Sequence, residues 1–377
     1  MKIILFFLFL TFNSFANSFE TTAKQAYLLD VSSGKVLYQK NHQQKISPAS
    51  ITKIMTSIVA FDLIKKGELS LDEKFKVSKN AWRMSSQGYS SMFIMPNDKV
   101  SVENLLKGII IVSGNDACVA LAEGISGTEE EFVFLMNEMA NQIGLKNTSF
   151  ANSSGLYDGN NYSTVEDIAK MSVYLIKNFP EMYKFYAEKE FTWDRTGGAP
   201  ITQGNRNPLL YKDMGSDGIK TGHLNNSGYS LAATIKSNDR RIISVISGTQ
   251  SKRERSSESV KLLSYAQNRF DLYKINKNNE KFKIKTWNLK QKNLKLELKN
   301  NAFITIPKRK KNLLKVEIEH KELPFKKIVK KGYSTSVLNI YFDKKLIKSL
   351  PLMVSEDTER ENFFVRFLNS VSYFIWR

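Results

Sequence analysis

The 377-residue chain reads as an α/β (α+β) domain with an antiparallel sheet and a helical subdomain, followed by a small all-β domain and a C-terminal amphipathic helix. Three observations predict this order. In the first 270 residues β-type runs flank a mostly helical stretch, so one sheet must join both ends of that unit. Beyond residue 270 apolar residues alternate with period two, the pattern of half-buried strands. At the end of the chain apolar side chains recur at spacings of three and four, which gathers them on one helix face.

In chain order, Met1 and Lys2 precede the apolar run Ile3-Ile4-Leu5-Phe6-Phe7-Leu8-Phe9-Leu10, and small residues follow at Ser14 and Ala16. This predicts a secretory signal peptide, residues 1–16, with cleavage after Ala16. The alternative, a retained membrane anchor, needs about 20 apolar residues, and Asn13, Ser14 and Asn17 interrupt the run too early. Ala26-Tyr27-Leu28-Leu29-Asp30 and Lys35-Val36-Leu37-Tyr38, separated by Val31-Ser32-Ser33-Gly34, read as a hairpin. From Pro48 to about Asn178 apolar stripes such as Ile51, Ile54, Met55, Ile58 and Val59 predict helices, punctuated by turns at Asn152-Ser153-Ser154-Gly155 and Asp158-Gly159-Asn160-Asn161. β-type runs return at residues 218–221, 229–235 and 241–247. The main domain is expected over residues 17–268 and the β domain over 275–353.

The composition, 42% hydrophobic and 25% charged, is that of a chain able to bury real cores, which excludes a disordered or fibrous protein. The net charge of +19 is concentrated: residues 270–350 hold 22 basic and 7 acidic side chains, so the β domain is strongly basic and the rest nearly neutral. One cysteine, Cys118, cannot make an intrachain disulfide, and with three scattered histidines (His42, His223, His320) it offers no Cys/His metal cluster. No metal is expected. The run Lys308-Arg309-Lys310-Lys311 fits a solvated loop better than a nucleic-acid site in an exported protein.

Phe363, Phe364, Phe367, Leu368, Val371, Phe374 and Ile375 share one face of the terminal helix, opposite Arg360, Glu361, Arg366, Asn369, Ser370 and Arg377. That apolar stretch is too short to span a bilayer and suited to lying in its interface, with Trp376 at headgroup level. Residues 358–377 are therefore expected to anchor the chain on the inner-membrane surface, the alternative being a helix docked on its own domain.

Three motifs carry chemistry. Ser50-Ile51-Thr52-Lys53 stands at a predicted helix start, where three residues are nearly one turn and Lys53 can take the Ser50 proton. Ser113-Gly114-Asn115 follows the apolar stripe that ends at Val112, and Lys220-Thr221-Gly222, followed by His223, ends a β-type run. Each is weak alone. A phosphate loop is excluded at the third because Ile219 intervenes between Gly218 and Lys220.

In this order, with Pro48-Ala49 before Ser50, Asp116-Ala117 after Asn115, and Asn205-Arg206-Asn207 between the second and third, the set resembles the penicillin-recognising serine enzymes. It is most similar to the low-molecular-mass penicillin-binding proteins that act as D-alanyl-D-alanine carboxypeptidases. The resemblance implies a serine β-lactamase/transpeptidase-like domain with no cofactor. It implies Ser50 as nucleophile and acyl-ester site, Lys53 as general base and Ser113 as proton relay. It also implies that Asn115, Lys220, Thr221 and Gly222 bind substrate, that the backbone N–H groups of Ser50 and His223 form the oxyanion hole, and that Arg206 adds positive charge in or behind the cleft. The expected partners are peptidoglycan stem peptides and beta-lactams, and the expected location is the periplasmic face of the cytoplasmic membrane.

Alternatives remain at this point. A β-lactamase needs an efficient base to free its acyl-enzyme, which class A enzymes place in a Glu-x-x-Leu-Asn segment, whereas Glu166 is followed by Asp167-Ile168-Ala169-Lys170, better read as a helix N-terminal segment after Ser163-Thr164. A D,D-endopeptidase cutting crosslinks or a transpeptidase would carry the same motifs, and a non-turnover peptidoglycan-binding scaffold is the non-enzymatic reading. The lysines of the β domain fit either contact with anionic headgroups or a spacer and partner-docking role.

Overall fold

The computed structural model describes residues 19–86, 88–194, 198–275 and 282–375. The expected signal peptide, together with Trp376 and Arg377, lies outside them.

Strands β1 (Gln25–Asp30) and β2 (Lys35–Lys40) form the expected hairpin, and a short 3-10 turn at Ala49–Thr52 leads into α1 (Lys53–Lys66). β3 (Lys74–Lys76) and β4 (Lys99–Ser101) pair across α2 (Lys79–Ser86). α3 (Val102–Lys107) continues through a π turn at Gly108–Val112 to α4 (Asn115–Ser126), α5 (Glu129–Ile143) and α6 (Val165–Asn178). The Thr164 hydroxyl accepts the Asp167 N–H and caps α6, as the Ser163-Thr164-Val165-Glu166 segment predicts. A small ribbon, β5 (Glu190–Trp193) with β6 (Ile201–Gly204), precedes β7 (Ser216–Leu224), β8 (Gly228–Ser237) and β9 (Arg240–Thr249), and then α7 (Lys252–Arg269).

The antiparallel sheet has the order β2-β1-β9-β8-β7, so the first and last strands of the domain meet, with Ala26 opposite Ile246. Period two decides which side each residue serves. Ile243 and Val245 of β9 face the helical layer, while Ile242 and Ile246 face α7 and its Leu262, Leu263 and Ala266. Each such fully buried aliphatic side chain contributes roughly 1.5–3 kcal/mol. The sheet is thus covered on both faces, and β7 is left as the edge strand beside the Ser50 turn.

The second domain follows at once: β10 (Phe270–Lys274) pairs with β13 (Phe303–Pro307), and β11 (Phe282–Lys285), β12 (Asn293–Leu298), β14 (Leu314–His320), β15 (Ser334–Phe342) and β16 (Lys345–Val354) form a sheet of order β11-β12-β16-β15-β14. Its joint with the first domain is polar and buried. The Asp30 carboxylate, with no exposed surface, accepts Arg240 Nε at 2.8 Å, Thr305 Oγ1 at 2.8 Å and the N–H groups of Ser32 and Ser33. A buried carboxylate satisfied by four donors fixes a geometry that an apolar contact would leave free to slide.

α8 (Phe363–Ile375) ends the described chain, and no described helix is long and apolar enough to cross a membrane. On its apolar face Phe363, Phe364 and Phe367 are 77%, 75% and 59% exposed rather than docked on the β domain.

Candidate active site

The Ser50 turn enters α1 through Ala49 at φ 51°, a left-handed value uncommon for a residue with a Cβ. Because Lys53 is the first residue of α1, its side chain runs back along the turn and places Nζ 3.1 Å from Ser50 Oγ. Lys53 is completely buried, and Nζ donates to Asn115 Oδ1 at 2.7 Å and to the Ser154 carbonyl at 2.6 Å. Burial, reinforced by the Arg206 guanidinium and opposed by Asp116 and Glu129, pushes the Lys53 ammonium below the ordinary lysine value.

Ser113 ends the π turn at φ 68°, and this reversal brings Asn115, at the head of α4, over Lys53. Asp116, one residue on and fully buried, accepts from the hydroxyls of Ser85 and Ser91 and from the N–H groups of Met92, Phe93 and Ile94. With Asn115 N–H donating to the Ser90 carbonyl at 2.8 Å, these bonds tie the Tyr89-Ser90 rim to the motif.

β7 supplies the opposite wall. Its first turn is held by Asp217, which takes two bonds from Arg241, at 2.8 and 2.7 Å, and one from Tyr183 Oη at 3.2 Å. Lys220 is 2% exposed, and burial, with Lys53 and Arg206 adding repulsion, lowers it well below the ordinary value. Gly222 lets the strand approach the Ser50 turn: a Cβ there would lie 2.9 Å from the Pro48 carbonyl oxygen and 3.3 Å from Ala49 Cβ. The His223 imidazole stacks on Tyr229 with centroids 3.9 Å apart. Arg206 donates Nε to the Val112 carbonyl at 2.9 Å and stands at the cleft wall.

Ser50, Ser113, Asn115, Arg206, Thr221, Gly222 and His223 all line one cleft of about 470 Å³, with Lys53 and Lys220 buried behind it. Among the described residues, arginines and Lys252 line it and no carboxylate does. Such a cleft favours an anionic ligand and a neutral amine near the serine.

Comparison with known proteins decides the family. Residues 12–251 match the family described as D-alanyl-D-alanine carboxypeptidase, and residues 270–360 match the C-terminal domain of penicillin-binding protein 5. The chain belongs to the D-alanyl-D-alanine carboxypeptidase family. It is 37% identical over 349 residues to D-alanyl-D-alanine carboxypeptidase DacC of Escherichia coli, covering 91% of this chain and 86% of that protein. DacA of Haemophilus influenzae is also 37% identical, over 348 residues, with 92% and 87% covered. The crystal structure of penicillin binding protein 5 from Haemophilus influenzae superposes with a TM-score of 0.81 at 37% identity, covering 90% of this chain and 98% of that one.

For a member of this family the cleft also holds residues that motif reading passed over. Arg255, on α7, lines the cleft beside Tyr229 and Lys252 and is 6% exposed, and burial pushes its guanidinium down to about 10. Its Nε has no hydrogen-bond partner among the described residues, which suits a cation waiting for an anionic ligand. The turn Asn152-Ser153-Ser154-Gly155 is structural support for the lysine rather than mere punctuation. Asn152 Oδ1 accepts the N–H groups of Gly155 and Leu156, Glu129 holds Ser153, and the Ser154 carbonyl meets Lys53. Cys118, a buried residue of α4, has its thiol raised to about 12 by burial and stays protonated.

Proposed function

We propose that this chain is an exported serine-type D-alanyl-D-alanine carboxypeptidase that removes the terminal D-alanine of peptidoglycan pentapeptide stems through an acyl-enzyme on Ser50. The observation that carries this reading is the hydrogen-bond set of Lys53. A neutral amine has two N–H groups and one lone pair. Asn115 Oδ1 and the Ser154 carbonyl, at 2.7 and 2.6 Å, take the two N–H groups, so the lone pair points at Ser50 Oγ 3.1 Å away.

Ser50 Oγ attacks the carbonyl of the penultimate D-alanine as its proton passes to Lys53. The oxyanion forms between the N–H groups of Ser50 and His223, each worth about 3–4 kcal/mol in the transition state. Ser113, oriented by Lys220, relays the proton to the departing amine, the C–N bond breaks and D-alanine leaves. Water then attacks the ester with Lys53 again as base, and Ser50 recovers its proton. Asn115 holds the peptide amide through its remaining amide N–H. Thr221, Arg206 and Arg255 bind the terminal carboxylate. Beta-lactams follow the first half of this path, because their carbonyl and carboxylate imitate the D-alanyl-D-alanine end.

The chain organisation fits this role: a signal segment over residues 1–16, a peptidase over 17–268, a basic β domain that begins with β10 at Phe270 rather than at the expected residue 275 and ends with β16 at Val354, and residues 358–377 as an interfacial helix on the periplasmic face of the cytoplasmic membrane. The exposed phenylalanines of α8 support the last of these. Mass spectrometry of the protein treated with a penicillin tests the site. A single adduct on a peptide containing Ser50, absent from the Ser50→Ala variant, is expected; an adduct elsewhere, or none on folded protein, would overturn the assignment.

A further inference from the structure

The β domain carries a second surface built like a membrane contact. Residues 321–333 hold five lysines against the single acid Glu322. They close the end of the five-stranded sheet from which α8 departs. The buried Phe325 donates its N–H to the Lys285 carbonyl and accepts from Trp287 N–H. Val329 and Thr358 bond reciprocally, at 2.6 and 2.9 Å, and the Lys330 ammonium lies 2.9 Å from Asp357. The same end holds the root of α8, where Asn288 accepts the Glu361 N–H and, through its side chain, Asn369 Nδ2.

This backbone is pinned at several points, yet it holds Leu323, Ile328 and Tyr333 out in water at 63%, 54% and 48% exposure, with Lys326 and Lys327 exposed beside Ile328. Apolar tips flanked by lysines on a fixed loop match a bilayer interface, where the tips enter the acyl boundary and the ammonium groups meet headgroup phosphates. The acidic run before α8 gives the charge a purpose. Glu356, Asp357, Glu359 and Glu361 would repel an anionic surface just where α8 approaches it, and Lys290 and Lys330 pair with Glu359 and Asp357.

We propose that residues 321–333 form a second, lipid-selective contact, in which Leu323 and Ile328 dip into the interface of an anionic bilayer while Lys326, Lys327 and Lys331 engage its headgroups. The proposal rests on the reading of the chain as a peripheral membrane protein and adds an anionic-lipid requirement that the uncharged face of α8 does not explain.

Cosedimentation of the full chain with phosphatidylglycerol/phosphatidylethanolamine vesicles and with pure phosphatidylcholine vesicles, at low and high salt, tests it. The Lys326→Gln/Lys327→Gln/Ile328→Asn variant is expected to bind anionic vesicles at least tenfold more weakly, since each lysine contributes about fivefold, and to bind phosphatidylcholine nearly as the parent does. Deletion of residues 361–377 should abolish binding to phosphatidylcholine and leave a salt-sensitive residue of binding to anionic vesicles. Unchanged anionic binding by the triple variant, or none by the deletion variant, would overturn the proposal. Undiminished phosphatidylcholine binding by the deletion variant would instead remove the role given to α8, a separable result.

Discussion

Replacing Lys53 by methionine is expected to slow both D-alanine release and acylation by penicillin by about 10²- to 10⁴-fold, the usual contribution of a general base. Methionine keeps the unbranched stem that fills the space behind Ser50, so the loss reports the amine. On the proposed mechanism, activity requires the neutral form of Lys53. Its pH profile should therefore rise through a limb set below the lysine value of about 10.4, because burial, followed by the Arg206 charge, disfavours the ammonium. The sign is checkable: removing the Arg206 charge with Arg206→Gln makes the ammonium easier to keep, so the acid limb of kcat/KM must move to higher pH. Lys53→Met with parental rates, or a limb that moves to lower pH in Arg206→Gln, would place the base elsewhere.

Substituting Gly155 by alanine should damage the site from outside it. Gly155 has φ +82°, and a Cβ there would fall 1.9 Å from the Ala49 carbonyl oxygen and 2.9 Å from Thr52 Oγ1. The left-handed backbone alone costs an L-residue about 1–2 kcal/mol, and the collision is with the backbone of the turn that presents Ser50. Either that turn or the Ser154 carbonyl that orients Lys53 must shift. Since a displacement of about 1 Å in a catalytic group costs about 100-fold, kcat should fall at least that far, with a destabilisation of about 2–4 kcal/mol in thermal unfolding. Gly159, with open space around its Cβ position, serves as the control, and its alanine variant should behave as the parent. Parental kcat in Gly155→Ala would mean that the close packing against Ala49 does not set the geometry of Ser50.

Local pattern made much of this molecule legible in advance. The hairpin and the three strands that end the sheet were legible as β-type runs bounded by turn residues, the strands of the β domain as apolar periods of two, and α8 shows its amphipathic period whether or not anything packs against it. The serine, lysine and Lys-Thr-Gly elements were legible because each is short and stands at an element boundary. Helix α7 was not. Its eighteen residues, KRERSSESVKLLSYAQNR, bury only Leu262, Leu263 and Ala266 as apolar side chains and otherwise cover the sheet with Arg255, Glu258 and Ser259, so its apolar stripe is too thin to read. Arg255 was lost with it, since a cleft residue on an unread helix has no motif to mark it. Nor could sequence show that Asp30, ending a hairpin strand, would meet Thr305 across 275 positions, or that a Ser-Gly turn near residue 154 would offer its carbonyl to Lys53. Those contacts depend on tertiary folding, and a single sequence records only neighbours along the chain.

The most direct test of the central claim is release of D-alanine from a synthetic stem pentapeptide, measured side by side for the protein and its Ser50→Ala variant. Release by the parent that falls by at least about 10⁴-fold in the variant is the expected result, in line with loss of the nucleophile in other serine hydrolases. Equal release by both would contradict Ser50 as the nucleophile. No release by folded parent that still takes up penicillin would contradict carboxypeptidase activity and leave crosslink hydrolysis or stem binding without turnover as the function of the cleft.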